Sequence, residues 1–250
     1  MNEEYTSATY GDRIAAIYDE RYLESFREDT AEAVTFLGSL ADDGPVLELG
    51  IGTGRVALPL AASGLDVHGI DASEAMAAKL REKPGGEAIA VTIGDFARFT
   101  LDERFSLIYV VFNTFFGLLT QEEQVSCFAT VAGHLRDGGV FAMQAFVPDP
   151  TRFDAQHQRT AATSVGVDHV ALETSMHDPV AQRTDSQHVV IRNGRIDLYP
   201  VKIRYAFVSE LDLMARLGGL RVRERWADWD RTPFPGPGTG HISVWELAKD

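Results

Sequence analysis

The chain has 250 residues, a hydrophobic fraction of 45% and a formal net charge of −14. This length is typical of one α/β domain with additions, and the composition is sufficient for a sizeable core. A surface this acidic repels phosphate backbones, so we expect no nucleic-acid partner. Cys127 is the only cysteine of the sequence, which excludes an internal disulfide and disfavours a thiolate metal site, and we predict no bound metal.

The first 148 residues alternate between helical and extended patterns. Residues 10–42 carry apolar side chains at helical spacing, and a break follows at 41–45. The alternation after the break predicts parallel strands joined by right-handed crossovers. The predicted strands are Val46–Leu49, Asp66–Ile70, Ala88–Ile93, Ser106–Phe112 and Val140–Val147, and the predicted helices are Val56–Ala62, Ser73–Arg81 and Gln121–Leu135.

The pattern changes after Pro148. Three extended segments are predicted at 164–178, 182–192 and 195–207, with Asn193 and Gly194 forming a hairpin turn between the last two. These segments indicate an antiparallel insertion in the α/β domain. The chain then ends with a predicted helix at Ser209–Leu217, capped by Ser209, and predicted strands at Leu220–Trp229 and Ile242–Ala248.

The segment Val46–Arg55 reads VLELGIGTGR, which is an apolar strand followed by a glycine-rich turn and the start of a helix. Glycines permit a tight turn and let ligand atoms approach the backbone. Glu48 precedes this turn, where a carboxylate disfavours a pyrophosphate and suits a cationic ligand. Asp71 follows the second strand, where a carboxylate can accept both hydroxyls of a ribose. Asp95 and Phe96 follow the third strand, where an acid and a ring can hold an adenine.

Three segments together, ELGIGTG at 48–54, GIDAS at 69–73 and GDF at 94–96, resemble the class I S-adenosylmethionine-dependent methyltransferases. The resemblance implies S-adenosyl-L-methionine as cofactor. It also implies a Rossmann-like α/β fold, whose mostly parallel sheet has seven strands, helices on both faces and an antiparallel last strand. The implied cofactor contacts are Gly50 and Gly52 under the methionine part, Asp71 at the ribose, Met76 and Phe96 against adenine, Asp95 near its amino group, and Phe112 with Asn113 at the sulfonium.

A narrower resemblance covers nearly the whole chain. Residues 10–19, YGDRIAAIYD, are similar to the N-terminal lid of bacterial deoxyamino-sugar N-methyltransferases and related natural-product methyltransferases, and so are the inserted strands. This implies that Tyr10 and Tyr18 close over the cofactor. The chain departs from that group at Gly117, where a histidine can stand, and the neighbouring Phe115 and Phe116 favour a flatter, more apolar substrate.

The resulting hypothesis divides the chain into four regions. They are an N-terminal helical lid at 1–42, a cofactor-binding core at 43–148, an inserted antiparallel region at 149–207 and a C-terminal part at 208–250 that completes the core.

Several of these assignments have a purely structural alternative. A carboxylate at a strand end also pairs with a nearby cation, and aromatic residues at helical spacing also pack in a core. Glu48 alternatively forms an ion pair with Arg55, and Asp71 alternatively caps a helix, although Ser73 is the better cap. Tyr10 and Tyr18 are alternatively core residues of an amphipathic helix. Phe112, Phe115 and Phe116 are alternatively core residues.

Candidates for the chemical step are few, because methyl transfer depends mainly on alignment and many such sites need no general base. His241 immediately precedes the predicted last strand, and in an antiparallel strand that start lies at the edge where open α/β sheets bind ligands. We therefore predict His241 as a proton acceptor and Asn113 as an orienting group. The histidines of the inserted region, His157, His169, His177 and His188, are expected to be mostly exposed.

The leading hypothesis is methyl transfer to a small molecule, most simply to an amine nitrogen in secondary metabolism such as antibiotic biosynthesis. The alternatives are C- or O-methylation of an aromatic metabolite, an NAD-type oxidoreductase and a non-catalytic binding protein. No apolar run approaches the roughly 18 residues of a membrane span, and residues 1–29 lack the features of a signal peptide. We therefore expect a cytoplasmic location and no membrane partner. A homodimer formed through the inserted strands is an expectation from analogy with related enzymes alone.

Overall fold

The computed structural model describes residues 4–23, 27–235 and 240–248. Among these residues, no helix is long and apolar enough to cross a membrane. The helices are α1 Thr9–Ile14, α2 Tyr18–Tyr22, α3 Arg27–Leu40, α4 Ala57–Ala62, α5 Glu74–Arg81, α6 Gln121–His134 and α7 Val208–Leu217. The strands are β1 Val46–Leu49, β2 Val67–Asp71, β3 Ala90–Ile93, β4 Phe105–Val110, β5 Leu135–Phe146, β6 Gln158–Val165, β7 His169–Asp178, β8 Arg183–Arg192, β9 Arg195–Arg204, β10 Leu220–Trp226 and β11 Gly240–Leu247.

Seven strands form the central sheet in the order β10-β11-β5-β4-β1-β2-β3. Strands β1 to β5 pair in parallel, whereas β11 runs antiparallel to both of its neighbours, β5 and β10. The predicted fold class, with its antiparallel last strand, is therefore confirmed. The chain runs outward from β1 to β3 and returns to β4 beside β1. The carboxyl ends of β1 and β4 thus flank the switch point where sheets of this kind bind ligands.

Helices cover both faces of this sheet. Every residue of β4 is buried, as expected for a strand packed on both sides. Leu107 and Tyr109 face the cluster that contains residues of α3 and α4. Ile108 and Val110 face the opposite cluster, which contains residues of α6 and α7. The alternation along β4 therefore divides the core into two layers.

The insertion between β5 and α7 is a second, four-stranded antiparallel sheet in the order β6-β7-β8-β9. The sequence predicts three extended segments here, and the structure has a fourth, β6. That strand is mostly exposed and rich in small and hydroxyl side chains, so it carries little hydrophobic periodicity. Asn193 and Gly194 form the predicted hairpin turn, with φ angles of 51° and 76°.

Polar contacts attach this second sheet to the core. The buried Arg204, at the end of β9, donates hydrogen bonds to Gln124 of α6 at 2.6 Å and to Glu210 of α7 at 2.7 Å. The side chain of Gln124 in turn donates to the carbonyl of Arg204 at 2.8 Å. Because these groups are buried and mutually satisfied, they hold the second sheet in one orientation over the core.

Within its described residues, the predicted N-terminal helical region contains the helices α1, α2 and α3. Polar contacts join the first two to the central domain. Ser73 donates a hydrogen bond to Asp12 of α1 at 2.6 Å. Asp19 of α2 accepts a hydrogen bond from Thr53 at 2.6 Å and forms an ion pair with Lys83 at 2.6 Å. The short α1 and α2 are therefore positioned by tertiary contacts rather than by their own helical propensity.

Candidate active site

A cavity of about 690 Å³ lies between the carboxyl edge of the central sheet, the N-terminal helices and the second sheet. This volume is in the range of small-molecule sites. The predicted site residues that line it are Tyr10, Tyr18, Gly50, Gly52, Asp71, Met76, Asp95, Phe96, Phe112 and Asn113. The structure thus brings residues from five separate segments of the sequence to one cavity.

The glycine-rich turn follows β1 and forms the floor of this cavity. Gly50 and Gly52 have φ angles of 72° and 56°, in the left-handed region that favours glycine. A Cβ atom at Gly50 would also collide with the methyl group of Thr114. The turn therefore requires glycine for its conformation and for its packing.

Asp71, at the end of β2, supports the same turn. Its carboxylate accepts hydrogen bonds from the backbone N–H groups of Gly52 at 2.7 Å and Ser73 at 2.8 Å. Burial raises the pKa of Asp71, and these two hydrogen bonds act in the opposite direction. Ser73 caps α5 by accepting from the N–H of Met76, so the cap is not the role of Asp71. Its carboxylate remains on the cavity wall, where a diol can bind.

Glu48 is buried within β1 and accepts a hydrogen bond from the hydroxyl of Tyr109 at 2.8 Å. It lines a smaller cavity, of about 30 Å³, together with Tyr18, Arg55 and Phe112. Burial raises the pKa of Glu48 to about 8, against the lowering effects of the Tyr109 hydrogen bond and the Arg55 charge. The carboxyl group of Glu48 and the guanidinium of Arg55 thus meet at one small cavity beside the glycine-rich turn.

We expect Glu48→Gln to raise the stability of the ligand-free protein at pH 8. A carboxyl whose folded-state pKa is raised binds its proton more tightly in the folded chain, so its contribution is fully present below about pH 4.5 and is lost as the pH rises to about 8. Glutamine keeps an acceptor for Tyr109 and removes the charge. Thermal unfolding of the parent enzyme and of the variant at pH 5 and pH 8 checks this. We expect the melting temperature to fall less between pH 5 and pH 8 in the variant, and an equal fall in both proteins would contradict the prediction.

The chain turns sharply after β4. Phe112 and Asn113 have φ angles of 58° and 64°, in the left-handed region, which is unfavourable for phenylalanine and better tolerated by asparagine. Two hydrogen bonds hold this turn: Gln144 accepts from the N–H of Phe112 at 2.9 Å, and Asn113 accepts from the N–H of Phe146 at 2.7 Å. The strained turn presents Phe112 and Asn113 to the cavity, and strain of this kind concentrates at functional sites.

Three tyrosines of the N-terminal helices form the roof. The hydroxyl of Tyr10 donates to that of Tyr22 at 3.4 Å, and the ring of Tyr18 lies 4.9 Å from that of Tyr22. The ring of Tyr22 lies 5.6 Å from that of Phe112. Tyr10 and Tyr18 also pack against a small cluster around Ile14, so they have core contacts as well. Tyr22 has no role in the predicted site, although its spacing of four residues from Tyr18 places both on one helix face.

The second sheet supplies a polar wall that the sequence analysis missed. Its cavity-facing side chains include Arg159, Glu173, Ser175, Thr184, Ser186, His188 and Tyr205. Polar residues at every second position of β7 and β8 were the available signal, because alternate residues of a strand share a face. The expectation that the inserted histidines are mostly exposed is wrong, because His177 is buried and His169 and His188 are partly buried.

Phe115 and Phe116 are fully buried and do not line the cavity. They lie in a turn of 3₁₀ helix at Thr114–Gly117, and the ring of Phe115 packs 5.3 Å from that of Phe128 in α6. The interpretation that these two rings favour a flat, apolar substrate is therefore wrong. Their core alternative is correct, because the turn directs both rings into the layer beneath the cavity.

His241 is fully buried and does not line the cavity formed by the described residues. It lies at the start of β11 as predicted, but its Nδ1 is 2.8 Å from the hydroxyl of Ser243. Burial lowers its pKa to about 4, and the charge of Arg225 acts in the same direction. Strand alternation directs the side chain toward Ser243 and Arg225, so the structure gives no support to contact between His241 and substrate.

The fold is Rossmann-like, with a cavity of small-molecule size at the carboxyl edge of its sheet. Residues 46–139 match the methyltransferase domain family. The chain is 41% identical to the CcbJ methyltransferase from Streptomyces caelestis, over 98% of this chain and 100% of that one, with a TM-score of 0.91. It is also 27% identical, over 83% of this chain and 88% of the relative, to the cypemycin N-terminal methyltransferase of a Streptomyces species.

The fold is shared with CalS10 from Micromonospora echinaspora, an amino pentose methyltransferase whose structure contains bound S-adenosylmethionine. That likeness has 20% identity, a TM-score of 0.68 and coverage of 99% of each chain. The chain belongs to the S-adenosylmethionine-dependent methyltransferases. It is therefore an enzyme with S-adenosyl-L-methionine as its cofactor, and the oxidoreductase alternative is not retained.

Proposed function

We propose that this enzyme methylates an amine nitrogen of a polar small molecule in a natural-product pathway. The observation that carries the proposal is the division of the cavity into two unlike walls. Glycines, aromatic rings and the Asp71 carboxylate form the wall at the central sheet. Hydroxyl, imidazole and carboxylate groups form the wall at the second sheet, together with the cationic side chains of Arg159 and Lys202. The first suits a nucleoside with a sulfonium, and the second suits an acceptor rich in hydrogen-bonding groups.

The cofactor half is assigned from the described contacts. We place the ribose hydroxyls at Asp71 and the amino-acid end between Glu48 and Arg55, over the glycine turn. The adenine then lies among Met76, Phe96 and Asp95. Phe112 and Asn113 border the sulfonium, and Tyr10 with Tyr18 closes over it.

The acceptor half favours a cationic, hydroxylated substrate over a flat aromatic one. The hydroxyls of Ser175 and Ser186 lie 2.8 Å apart and can each donate or accept. Glu173 adds a partly buried carboxylate to the same wall; Arg159 pairs with one of its oxygens, and the other oxygen can attract an ammonium group. The names of two relatives, an N-terminal methyltransferase and an amino pentose methyltransferase, are consistent with an amine.

The bound cofactor supplies a methyl group already activated by the positive sulfur. The task of the chain is then alignment, for which orientation contributes about 7–11 kcal/mol in favourable cases. Asn113 is well suited to it, because its hydrogen bond to Phe146 fixes the plane of its amide. The roof of tyrosines excludes water, and burial raises the pKa of Tyr18 to about 12, so its hydroxyl stays protonated.

A labelled methyl donor tests this function directly. The enzyme is incubated with labelled S-adenosylmethionine and paired acceptors that differ only in one group, an amino sugar against its hydroxy analogue and an aniline against the matching phenol. Mass spectrometry and NMR of the products locate the methyl group. We expect transfer to the amino sugar nitrogen, and transfer to oxygen or carbon would overturn the proposal.

We expect Tyr18→Leu to lower kcat/KM by about tenfold, equal to about 1.4 kcal/mol of activation free energy, because the roof over the reacting atoms is opened. The melting temperature should change little. Ile17→Ala is the matched control, since Ile17 packs against the same cluster around Ile14 without lining the cavity. If both variants lose melting temperature and kcat/KM to the same extent, Tyr18 acts as a core residue and not as part of the roof.

A further inference from the structure

Three charged or titratable side chains cross the cavity-facing side of the second sheet. Glu173 of β7 lies directly opposite His188 of β8. Its Oε1 forms an ion pair with Arg159 of β6 at 2.8 Å, and its Oε2 lies 3.8 Å from Nδ1 of His188. All three side chains line the cavity. Arg159 thus holds one oxygen of the carboxylate while the other faces the imidazole.

The surroundings of His188 favour a neutral imidazole. The groups that face it are Glu173 from β7, Arg21 from α2 and, opposite it on β9, Tyr199. Burial lowers the pKa of His188, the Arg21 charge lowers it further, and Glu173 raises it. Nδ1 is buried with no hydrogen-bond partner among the described residues. A proton on Nδ1 is stabilised by Glu173 beside it, which leaves Nε2 as the acceptor.

We propose that His188 is the proton acceptor for the substrate amine, and that Glu173 is a positioning residue that sets its tautomer. This inference rests on the proposed function, because an acceptor amine is protonated at neutral pH and cannot attack until it loses a proton. The polar wall also brings the acceptor to the face where His188 stands, beside the α2 helix that carries Tyr18 and Tyr22.

The step balances in atoms and electrons. The substrate ammonium transfers one proton to Nε2 of His188, which becomes imidazolium. The freed nitrogen lone pair forms a bond to the methyl carbon, while the electron pair of the carbon–sulfur bond passes to sulfur and leaves a neutral thioether. The product nitrogen carries the positive charge, and the imidazolium releases its proton to water.

The test compares His188→Gln with a control variant, His169→Gln. His169 lies on the same sheet but does not line the cavity. We expect His188→Gln to lower kcat at pH 7 by about 10²-fold or more, the usual range for a general base, with the same affinity for S-adenosylmethionine. The deficit should shrink as the pH approaches the pKa of the substrate amine, where the base is no longer needed. Glu173→Gln should also lower kcat at pH 7 and lose less as the pH rises, with a smaller decrease than His188→Gln shows. His169→Gln should resemble the parent enzyme.

A rate for His188→Gln within threefold of the parent enzyme, or a deficit of equal size at every pH, would overturn the inference. Its failure is distinguishable from that of the proposed function, which is judged separately by the position of the methyl group in the product. Nitrogen methylation with a normal His188→Gln profile removes only the inference. Oxygen or carbon methylation removes the proposed function and, with it, the amine as proton donor to His188.

Discussion

Replacing Asp71 with alanine is expected to weaken S-adenosylmethionine binding by about 100-fold. Two hydrogen bonds from ribose hydroxyls to a carboxylate are lost, at roughly 1.5 kcal/mol each at the lower end for charged acceptors. The glycine turn also loses the acceptor of its Gly52 N–H. Isothermal titration with S-adenosylmethionine and with its demethylated product measures the effect.

The control for this variant is Asp66→Ala. Asp66 immediately precedes β2 and is exposed, with His68 and not the cavity as its neighbour. We expect it to bind the cofactor like the parent enzyme. Asp71→Asn distinguishes the effect of the negative charge from that of side-chain size, because asparagine has a similar size, no charge and one remaining oxygen acceptor. Undiminished affinity in both Asp71 variants would contradict the ribose assignment.

Gly50→Ala should have the second large effect, on stability as well as on binding. The left-handed conformation alone costs a residue with a Cβ about 1–2 kcal/mol, and the collision with the Thr114 methyl group adds to it. We expect a total of about 3 kcal/mol, because the neighbouring Thr114 lies in a strained turn with little freedom to move. Chemical denaturation measures the loss, and cofactor titration should show no saturable binding.

Two further variants separate these causes. Gly64 has a φ angle of 98° with open space around its would-be Cβ, so Gly64→Ala reports the conformational cost without a collision. Adding Thr114→Ser to Gly50→Ala removes the methyl group, and part of the stability should return. If Gly50→Ala is no more harmful than Gly64→Ala, close packing at the turn is not the reason for glycine.

The sequence alone determined the central sheet and the place of the glycine turn. The apolar runs of β1 and β4 are buried on both faces, so their composition is enough to identify them. Glu48 stands just before the glycines, and Asp71 stands at the end of β2. Both positions follow from the spacing of residues within one β-α-β unit, so they can be predicted without knowing how the rest of the chain packs.

Only the tertiary structure decided which side chains reach the cavity from distant segments. His241 lies at the ligand-binding edge of the sheet, yet its side chain is buried beside Ser243 and does not line the described cavity, because one step along a strand reverses the face. The Phe115 side chain is buried because of how the turn after β4 packs, and His188 lines the cavity because of how the second sheet packs against its neighbours. The direction of such a side chain depends on register and packing between segments far apart in sequence, which spacing along the chain does not encode.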